Sequence, residues 1–141
     1  MLLKDKVAVI TGAASVRGLG FATAKLYAEQ GAKVVIIDLD AEASQRAAAC
    51  LGEGHLGLAA NVSNELQVNA AIEQVLGKYG RIDILVNNAG ITQPLKLMDI
   101  KRDNYDAVLD VSLRGTLLMS QAVIPTLRAQ KSGSIGCISS V

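Results

Sequence analysis

A glycine-rich segment from Thr11 to Gly20 is the part of the sequence whose residue types and spacing carry the clearest chemistry. It stands between an apolar run and a stretch with helical periodicity. Glycines permit a tight turn and a close backbone approach, and the start of a helix points free N–H groups at an anion. An acid, Asp38, follows 18 residues after Gly20, as a dinucleotide fingerprint requires. The segment therefore predicts a loop that binds the pyrophosphate of a dinucleotide; the alternative is a purely structural turn.

The acid Asp38 bears on which dinucleotide is bound. It ends an apolar run, where a carboxylate can accept hydrogen bonds from both ribose hydroxyls of an adenosine and would repel a 2′-phosphate. Arg17 in the glycine-rich loop complicates this, because a guanidinium can pair with a 2′-phosphate or remain a solvated loop charge. We expect NAD, with NADP less favoured, since the repulsion from Asp38 does not depend on the rotamer of a loop residue.

Strands and helices must alternate to bring these residues together. Continuous apolar runs predict strands buried on both faces, and helical periodicity fills the intervals between them. The five predicted strands are 7–10, 34–37, 55–60, 82–86 and 134–139. Right-handed crossovers then give a doubly wound, Rossmann-like α/β fold: a parallel sheet of order 3-2-1-4-5 with helices on both faces. Its ligand crevice is expected at the carboxyl ends of strands one and four.

Two of the predicted helices carry patterns that bear on their packing. In the first, Leu19, Ala22 and Leu26 recur at helical spacing, which predicts that these side chains form its apolar face. The last predicted helix, 103–128, contains Pro125, which lacks a backbone N–H. We therefore expect the final turns of that helix to be disturbed.

The overall composition fits one globular domain. The 141 residues carry a formal net charge of +1, 50% of them are hydrophobic, and the mean hydropathy is +0.33. These values exclude a disordered chain, and the lack of a basic stripe argues against a nucleic-acid partner. No apolar run approaches the roughly 18 residues of a membrane span, and the N-terminus lacks the order of a signal peptide. We expect a single domain, 1–141, in a cytoplasmic protein without a membrane partner.

The cysteines and the single histidine give little support to metal or triad chemistry. Cys50 and Cys137 are far apart and fit no CxxC or zinc spacing, so no metal site is predicted. Cys137 stands in an apolar stretch and is expected to be a core thiol. His55 opens an apolar run and is expected at a strand edge, which makes a Ser-His-Asp triad hard to build.

Three motifs together resemble the short-chain dehydrogenase/reductases, over the whole chain. They are the glycine-rich loop with Asp38, the segment Asn87-Asn88-Ala89-Gly90, and the run from Gly133 to Ser140. The resemblance implies a domain that binds NAD(H) or NADP(H) and transfers hydride between the nicotinamide and a carbonyl or alcohol. It also implies an Asn-Ser-Tyr-Lys catalytic set and a homo-oligomer in which the long helix before the fifth strand forms part of an interface.

The resemblance also assigns roles to individual residues. Ser140 matches the catalytic serine, and Leu19 stands where a backbone N–H meets the pyrophosphate. The pair Asn61-Val62 stands where the family usually has an Asp-Val pair that contacts adenine. Asn88 is expected to hydrogen-bond backbone across the sheet, and Gly90 to let the chain pass close to the cofactor. The predicted cofactor-binding residues are Gly12, Ser15, Arg17, Gly18, Leu19, Asp38, Asn61, Val62, Asn88 and Gly90.

The sequence departs from the family pattern in four places. The loop between Gly12 and Gly18 has two more residues than the commonest spacing, and Asn61 replaces the usual acid. Ser112 stands where the catalytic asparagine is expected; it either takes part in the site or fills a tight helix crossing. No Tyr-x-x-x-Lys occurs in the 141 residues, so that pair is expected beyond Val141.

These observations leave three interpretations open. The favoured one is the N-terminal, truncated part of an NAD(P)-dependent oxidoreductase for a ketone or secondary alcohol, with Ser140 and Ser112 catalytic. The rest of that protein, with the Tyr-Lys pair, is then either cleaved off, present on a second chain as a companion C-terminal segment, or simply outside these 141 residues. The others are a non-catalytic dinucleotide-binding module and a structural fragment without cofactor. The substrate remains open between those of 3-oxoacyl carrier-protein reductases and of polyol or sugar dehydrogenases. Residues 93–95 either line its entrance or form a surface loop.

Overall fold

Five parallel strands form the sheet that positions the site. A computed structural model describes residues 1–140 of the chain. The strands are β1 (Val7–Thr11), β2 (Lys33–Asp38), β3 (Leu56–Ala59), β4 (Ile84–Asn87) and β5 (Ser134–Cys137). Their order is β3-β2-β1-β4-β5, and each neighbouring pair is parallel. The predicted doubly wound sheet and its strand order are thus confirmed.

Helices connect the strands and cover both faces of the sheet. Asp40 and Asn64 begin two of them, because each side-chain Oδ1 accepts a hydrogen bond of 3.1 Å from a backbone N–H in the first turn. Gly80 ends the third helix in the left-handed conformation, at φ 71°. The helices are α1 (Leu19–Glu29), α2 (Ala41–Cys50), α3 (Glu65–Tyr79), α4 (Arg102–Leu109) and α5 (Gly115–Gln130), with a 3-10 turn at Leu97–Asp99 and a π-helical segment at Asp110–Arg114.

The core consists of two apolar layers, one on each face of the sheet. On one face α3 and α5 pack against β1, β2 and β4, and on the other face α1 and α2 pack against the same central strands. β1 is buried along its whole length, because its alternating side chains enter both layers. This double burial explains why the central strands have uninterrupted apolar sequences, and it fixes the ends of β1, β2 and β4 relative to one another.

The packing face of α1 differs from the sequence prediction. Leu19 is 75% exposed and Leu26 is 54% exposed, whereas Gly20 and Ala24 are buried. The helix approaches the sheet through small residues, and a side chain at Gly20 would meet the Asn88 amide. A face of large side chains would hold the start of α1 away from the end of β1. The prediction from helical spacing is therefore wrong for this helix.

A continuous helical stretch of 29 residues, Arg102–Gln130, crosses one face of the sheet. Its irregular part is the π-helical segment near its middle, and the α-helix continues past Pro125 to Gln130. The predicted disturbance at Pro125 is wrong: the proline removes one donor, and the carbonyl left without it belongs to Gln121, whose side chain faces solvent.

The same stretch bears on the membrane prediction. Within residues 1–140 it is the one helix long and apolar enough to cross a membrane by length and composition, with a window hydropathy of 1.3. The prediction from sequence concerned uninterrupted apolar runs, whereas this stretch includes Asp110 and Arg114 and meets a criterion based on average hydropathy. The criterion is weak evidence, because the core helix of a globular domain meets it too. Here Met119 and Val123 of the stretch are fully buried in the core.

The edge strand β5 corrects the prediction for Cys137. All four residues of β5 are exposed, and Cys137 is an exposed free thiol rather than a core residue. β5 pairs with β4 on one side, and within residues 1–140 no further strand covers its other edge. An apolar sequence thus predicted the strand correctly and its burial incorrectly.

His55 precedes the other edge strand, β3, and ties it to β2. Its Nδ1 accepts a hydrogen bond of 3.0 Å from the backbone N–H of Val34, which requires this nitrogen to be unprotonated. Burial lowers the pKa of His55, and the positive charge of Lys33 lowers it further. The expected strand-edge position is thus confirmed, and the neutral imidazole is part of the fold.

We expect the stability of the chain to fall as the pH drops below about 6.5, the ordinary pKa of a histidine. The unfolded chain binds the proton more tightly than the folded chain, so protonation favours unfolding. Urea unfolding between about pH 7.5 and about pH 5.5 measures this slope, and His55 is the single histidine of the sequence. In His55→Asn an amide oxygen can accept from Val34, so the slope is expected to flatten. Equal slopes in the two proteins would contradict the assignment.

Candidate functional site

A cavity of about 490 Å³ opens at the carboxyl ends of the central strands. Its floor comes from the ends of β1 and β2, and its walls from the segments that follow β3 and β4 and from the helical stretch across them. This is the position at which open α/β sheets bind their ligands. The residues that line it are Gly12, Ile37, Asp38, Leu39, Ala60, Asn61, Val62, Ser63, Asn88, Ala89, Gly90, Ile91, Ala107, Asp110 and Val111.

The buried hydroxyl of Thr11 joins the end of β1 to the turn after β4. Thr11 is 1% exposed, and its Oγ1 accepts hydrogen bonds from the backbone N–H groups of Asn88, at 3.1 Å, and Ala89, at 3.0 Å. In the opposite direction, the Nδ2 of Asn88 donates to the carbonyl oxygens of Thr11 and Gly12, each at 3.1 Å. The expected hydrogen bonds of Asn88 to backbone across the sheet are therefore present. They hold the turn against the glycine-rich loop.

Gly12 is required by both conformation and space. Its φ is +66°, and a Cβ there would lie 2.8 Å from the Ala89 Cα, which is backbone and cannot move aside. Gly90 differs, because a Cβ there would meet Ser112 Oγ at 3.6 Å, an ordinary contact. A small side chain at Gly90 would therefore fit against Ser112, so this glycine is not required by the packing of the chain itself.

The carboxylate of Asp38 is held at the cavity edge by two backbone donors. Its Oδ2 accepts from the N–H of Ala14 at 3.0 Å, and its Oδ1 accepts from the N–H of Leu39 at 2.8 Å. The first of these bonds links the end of β2 to the glycine-rich loop. Arg17 is exposed and forms no ion pair within residues 1–140, so its guanidinium does not neutralise Asp38.

The start of α1 offers backbone donors. Gly18 occupies the N-cap position, and no side chain caps the helix there. The N–H of Gly18 donates to the Ser15 carbonyl at 2.9 Å, which closes the loop before the helix begins at Leu19. Uncapped N–H groups and the helix dipole together favour an anion at this position.

The segment after β3 places Asn61 in the cavity wall. Asn61 Oδ1 accepts from the N–H of Ser63 at 3.0 Å and from Ser63 Oγ at 2.7 Å. Val62 is buried against the start of α5, where a Cβ on Gly115 would lie 2.5 Å from Val62 Cγ2. The close approach of α5 therefore fixes this wall.

The two serines predicted to be catalytic lie on different elements. Ser112 is half-buried in the π-helical segment and faces Gly90. π-helical segments inside α-helices are frequent at functional sites. Ser140 is exposed and follows β5, which is joined to β4 by a bond of 3.0 Å from the Ile138 N–H to the Asn87 carbonyl. Val141 lies outside the described residues.

A model of the short chain dehydrogenase family matches residues 6–141. The chain belongs to this family. It is 45% identical over 145 positions to an uncharacterized short-chain type dehydrogenase/reductase of Sinorhizobium fredii, and 42% identical over 145 positions to a 3-oxoacyl-[acyl-carrier-protein] reductase of Thermotoga maritima. Each match includes 100% of this chain, but only 57% and 58% of those proteins, respectively.

A solved structure of a related protein agrees with the fold of this chain. The 3-ketoacyl-(acyl-carrier-protein) reductase of Brucella melitensis, complexed with NADH, superimposes with a TM-score of 0.91 at 40% identity. The match covers 98% of this chain and 58% of the reductase. The chain thus spans somewhat more than half the length of the relatives it matches.

The short-chain dehydrogenase fold brings six of the predicted cofactor-binding residues into one cavity lining: Gly12, Asp38, Asn61, Val62, Asn88 and Gly90. Ser15, Arg17, Gly18 and Leu19 lie in the adjoining loop and helix start, outside that lining. Within residues 1–140 no three acidic, histidine or cysteine side chains are arranged to hold a metal ion. Ser140 is not among the lining residues either.

Sequence reasoning missed two polar residues beside the site. It assigned no role to Thr11, although a hydroxyl at a strand end directly before a required glycine was the available signal. It also left Asn87 without a role. Asn87 is 5% exposed; its Nδ2 donates to Ser120 Oγ at 3.3 Å, and its Oδ1 has no hydrogen-bond partner within residues 1–140. The available signal for Asn87 was its place in the Asn87-Asn88-Ala89-Gly90 motif, which pointed to the segment but not to the role of this side chain.

Proposed function

We propose that this chain is the cofactor-binding part of an NAD(P)-dependent oxidoreductase that transfers hydride between a nicotinamide and a ketone or secondary alcohol. The observation that carries the proposal is the cavity at the strand ends, where the Asp38 carboxylate stands beside the glycine-rich loop. The lining fits a dinucleotide, because the Asp38 carboxylate can accept from ribose hydroxyls and the uncapped start of α1 offers donors to a pyrophosphate. When bound, the nicotinamide supplies or accepts the hydride.

The chain's own residues bind and orient this cofactor in the proposal. Asp38 accepts from the ribose hydroxyls of the adenosine half, and its negative charge disfavours a 2′-phosphate. NAD is therefore the proposed cofactor and NADP the less favoured one. Arg17 could weaken this preference by pairing with a 2′-phosphate, since within residues 1–140 it has no acidic partner.

The catalytic part of the proposal concerns two hydroxyls. Ser140 donates a hydrogen bond to the substrate oxygen as charge develops there, and Ser112 holds a polar position beside Gly90 in place of an asparagine amide. The sequence contains no Tyr-x-x-x-Lys, and the chain spans somewhat more than half the length of its relatives. We therefore propose that 1–141 is one dinucleotide-binding domain, and that the proton-transfer pair implied by the family resemblance lies outside these 141 residues.

The remaining parts of the proposal draw on the relatives. Two of the similar proteins carry names of reductases for 3-oxoacyl or 3-ketoacyl groups on acyl carrier protein, which favours a carbonyl or alcohol substrate. A homo-oligomer and a cytoplasmic location are proposed with it. Leu113 and Leu117 on the long helix are 65% and 53% exposed, which supports a contact with another copy.

Titration calorimetry of the protein with NAD is the direct test. We expect saturable binding that ADP-ribose displaces, because the cavity contacts concern the pyrophosphate, ribose and adenine. Absence of binding would overturn the proposal in favour of a structural fragment. The missing Tyr-x-x-x-Lys favours a second candidate, a binding module without catalysis; turnover of ketones or alcohols by the 141-residue chain would refute that candidate.

A further inference from the structure

We propose that Asn61 makes the cofactor site tolerant of a 6-oxopurine in place of adenine, so that it binds nicotinamide hypoxanthine dinucleotide about as well as NAD. The inference rests on the proposed function, since it requires a dinucleotide in the cavity. The inference concerns recognition of the purine base, whereas the proposed roles of Asp38 and of the start of α1 concern the ribose and the pyrophosphate.

The position of the base follows from the cavity. With the pyrophosphate at the start of α1 and the ribose at Asp38, the base extends toward the wall beyond β2. That wall consists of Leu39, Asn61, Val62 and Ser63. Leu39 and Val62 supply apolar surface to a flat ring, and Asn61 is the side chain there that carries an amide.

The orientation of the Asn61 amide is fixed by its neighbours. A backbone N–H can only donate, so the atom 3.0 Å from the Ser63 N–H must be the amide oxygen. The Ser63 hydroxyl, at 2.7 Å, occupies the second acceptor position of the same oxygen. Asn61 therefore has no acceptor capacity left for a ligand.

The amide nitrogen is the group that Asn61 retains. Within residues 1–140 its Nδ2 donates to no protein group, while the Asn61 backbone N–H is already engaged by Gln67 Oε1 at 2.8 Å. Asn61 thus presents donors only. A carboxylate in its place would keep one oxygen on Ser63 and present the second oxygen as an acceptor.

The group that residue 61 exposes determines which purine base gains a hydrogen bond at its C6 substituent. Adenine carries at C6 an amino group that donates, whereas hypoxanthine carries there a carbonyl oxygen that accepts. An amide donor gives no hydrogen bond to the 6-amino group but can donate to a 6-oxo group or to a ring nitrogen. An acceptor at this position would favour adenine. Asn61 therefore removes a contact that would select adenine.

The test compares the dissociation constants of NAD and nicotinamide hypoxanthine dinucleotide by titration calorimetry, for the wild type and for Asn61→Asp. In the wild type we expect the two constants to agree within about fivefold. Asn61→Asp is isosteric and keeps the Ser63 bonds; it converts the exposed donor into an acceptor and adds one negative charge. It is expected to shift the ratio toward NAD by at least about fivefold.

Asn64→Asp is the matched control. It adds the same charge three residues away, outside the cavity lining, and an aspartate still caps α3. Repulsion from the added charge acts on both dinucleotides equally, so the control is expected to leave their ratio unchanged.

The outcomes separate the inference from the proposed function. A wild-type preference for NAD above about tenfold, or an Asn61→Asp ratio equal to that of the wild type, overturns the inference while dinucleotide binding stands. If neither dinucleotide binds the wild type, both proposals fail. The wild-type ratio alone suffices as a test if the variant does not fold.

Discussion

Replacement of Asp38 by alanine is expected to weaken NAD binding by about 10- to 100-fold while changing NADP binding far less, so that the NAD preference narrows or reverses. The physical reason is twofold. The variant loses the charged acceptor for the ribose hydroxyls, and it removes the negative charge that would repel a 2′-phosphate. Dissociation constants for both dinucleotides, measured by titration calorimetry, give the ratio directly.

Two further variants separate charge from loop geometry in this experiment. Asp38→Asn can keep the hydrogen bond from the Ala14 N–H through its amide oxygen and loses only the charge. Asp40→Asn removes the same charge two residues away and still caps α2. We expect the ratio of the NAD and NADP dissociation constants to change in Asp38→Asn as it does in Asp38→Ala. In Asp40→Asn we expect the ratio of the wild type. An unchanged ratio in Asp38→Ala would show that the ribose does not lie at this carboxylate.

Replacement of Thr11 by valine is expected to lower the free energy of unfolding by about 2–4 kcal/mol, because two buried backbone N–H groups lose their shared acceptor. The affected groups belong to Asn88 and Ala89, which line the cavity. NAD binding should weaken with stability, since the turn after β4 is no longer held against the glycine-rich loop. Denaturant unfolding and calorimetry measure the two effects.

Thr11→Ser is the matched control, because it keeps the hydroxyl oxygen and removes only a methyl group. It is expected to retain most of the stability and the affinity that the valine variant loses. A serine variant as unstable as the valine variant would indicate that the methyl packing, and not the hydroxyl, holds this junction.

Much of the fold could be predicted because the central strands are buried on both faces. Their continuous apolar runs leave few alternatives to parallel strands joined by right-handed helical crossovers. The strand order 3-2-1-4-5 is the one typical of dinucleotide-binding sheets with a glycine-rich loop after the first strand. The loop and Asp38 could be predicted for a related reason. Both stand at the carboxyl ends of adjacent strands, so their proximity follows from the topology alone.

The predictions that failed concern contacts between elements. The periodicity of Leu19 and Leu26 describes an amphipathic helix and contains no information on how closely that helix approaches a strand end. The apolar run at Cys137 predicts a strand, but burial depends on what covers its edge. Pro125 has a strong intrinsic preference against helix interiors, yet the α-helix continues past it to Gln130.

The sequence by itself predicted the class of fold and the strand order, because the buried strands and the intervening helices follow one another along the chain in a recognisable pattern. Together with the family resemblance it also named six candidate cofactor-binding residues, and these line one cavity. Only the tertiary structure decided the role of Thr11, the packing of α1 through Gly20, and the orientation of the Asn61 amide. These depend on which donor or backbone atom meets each group in space. Such partners come from residues distant in sequence or from a local turn geometry, and composition and spacing encode neither.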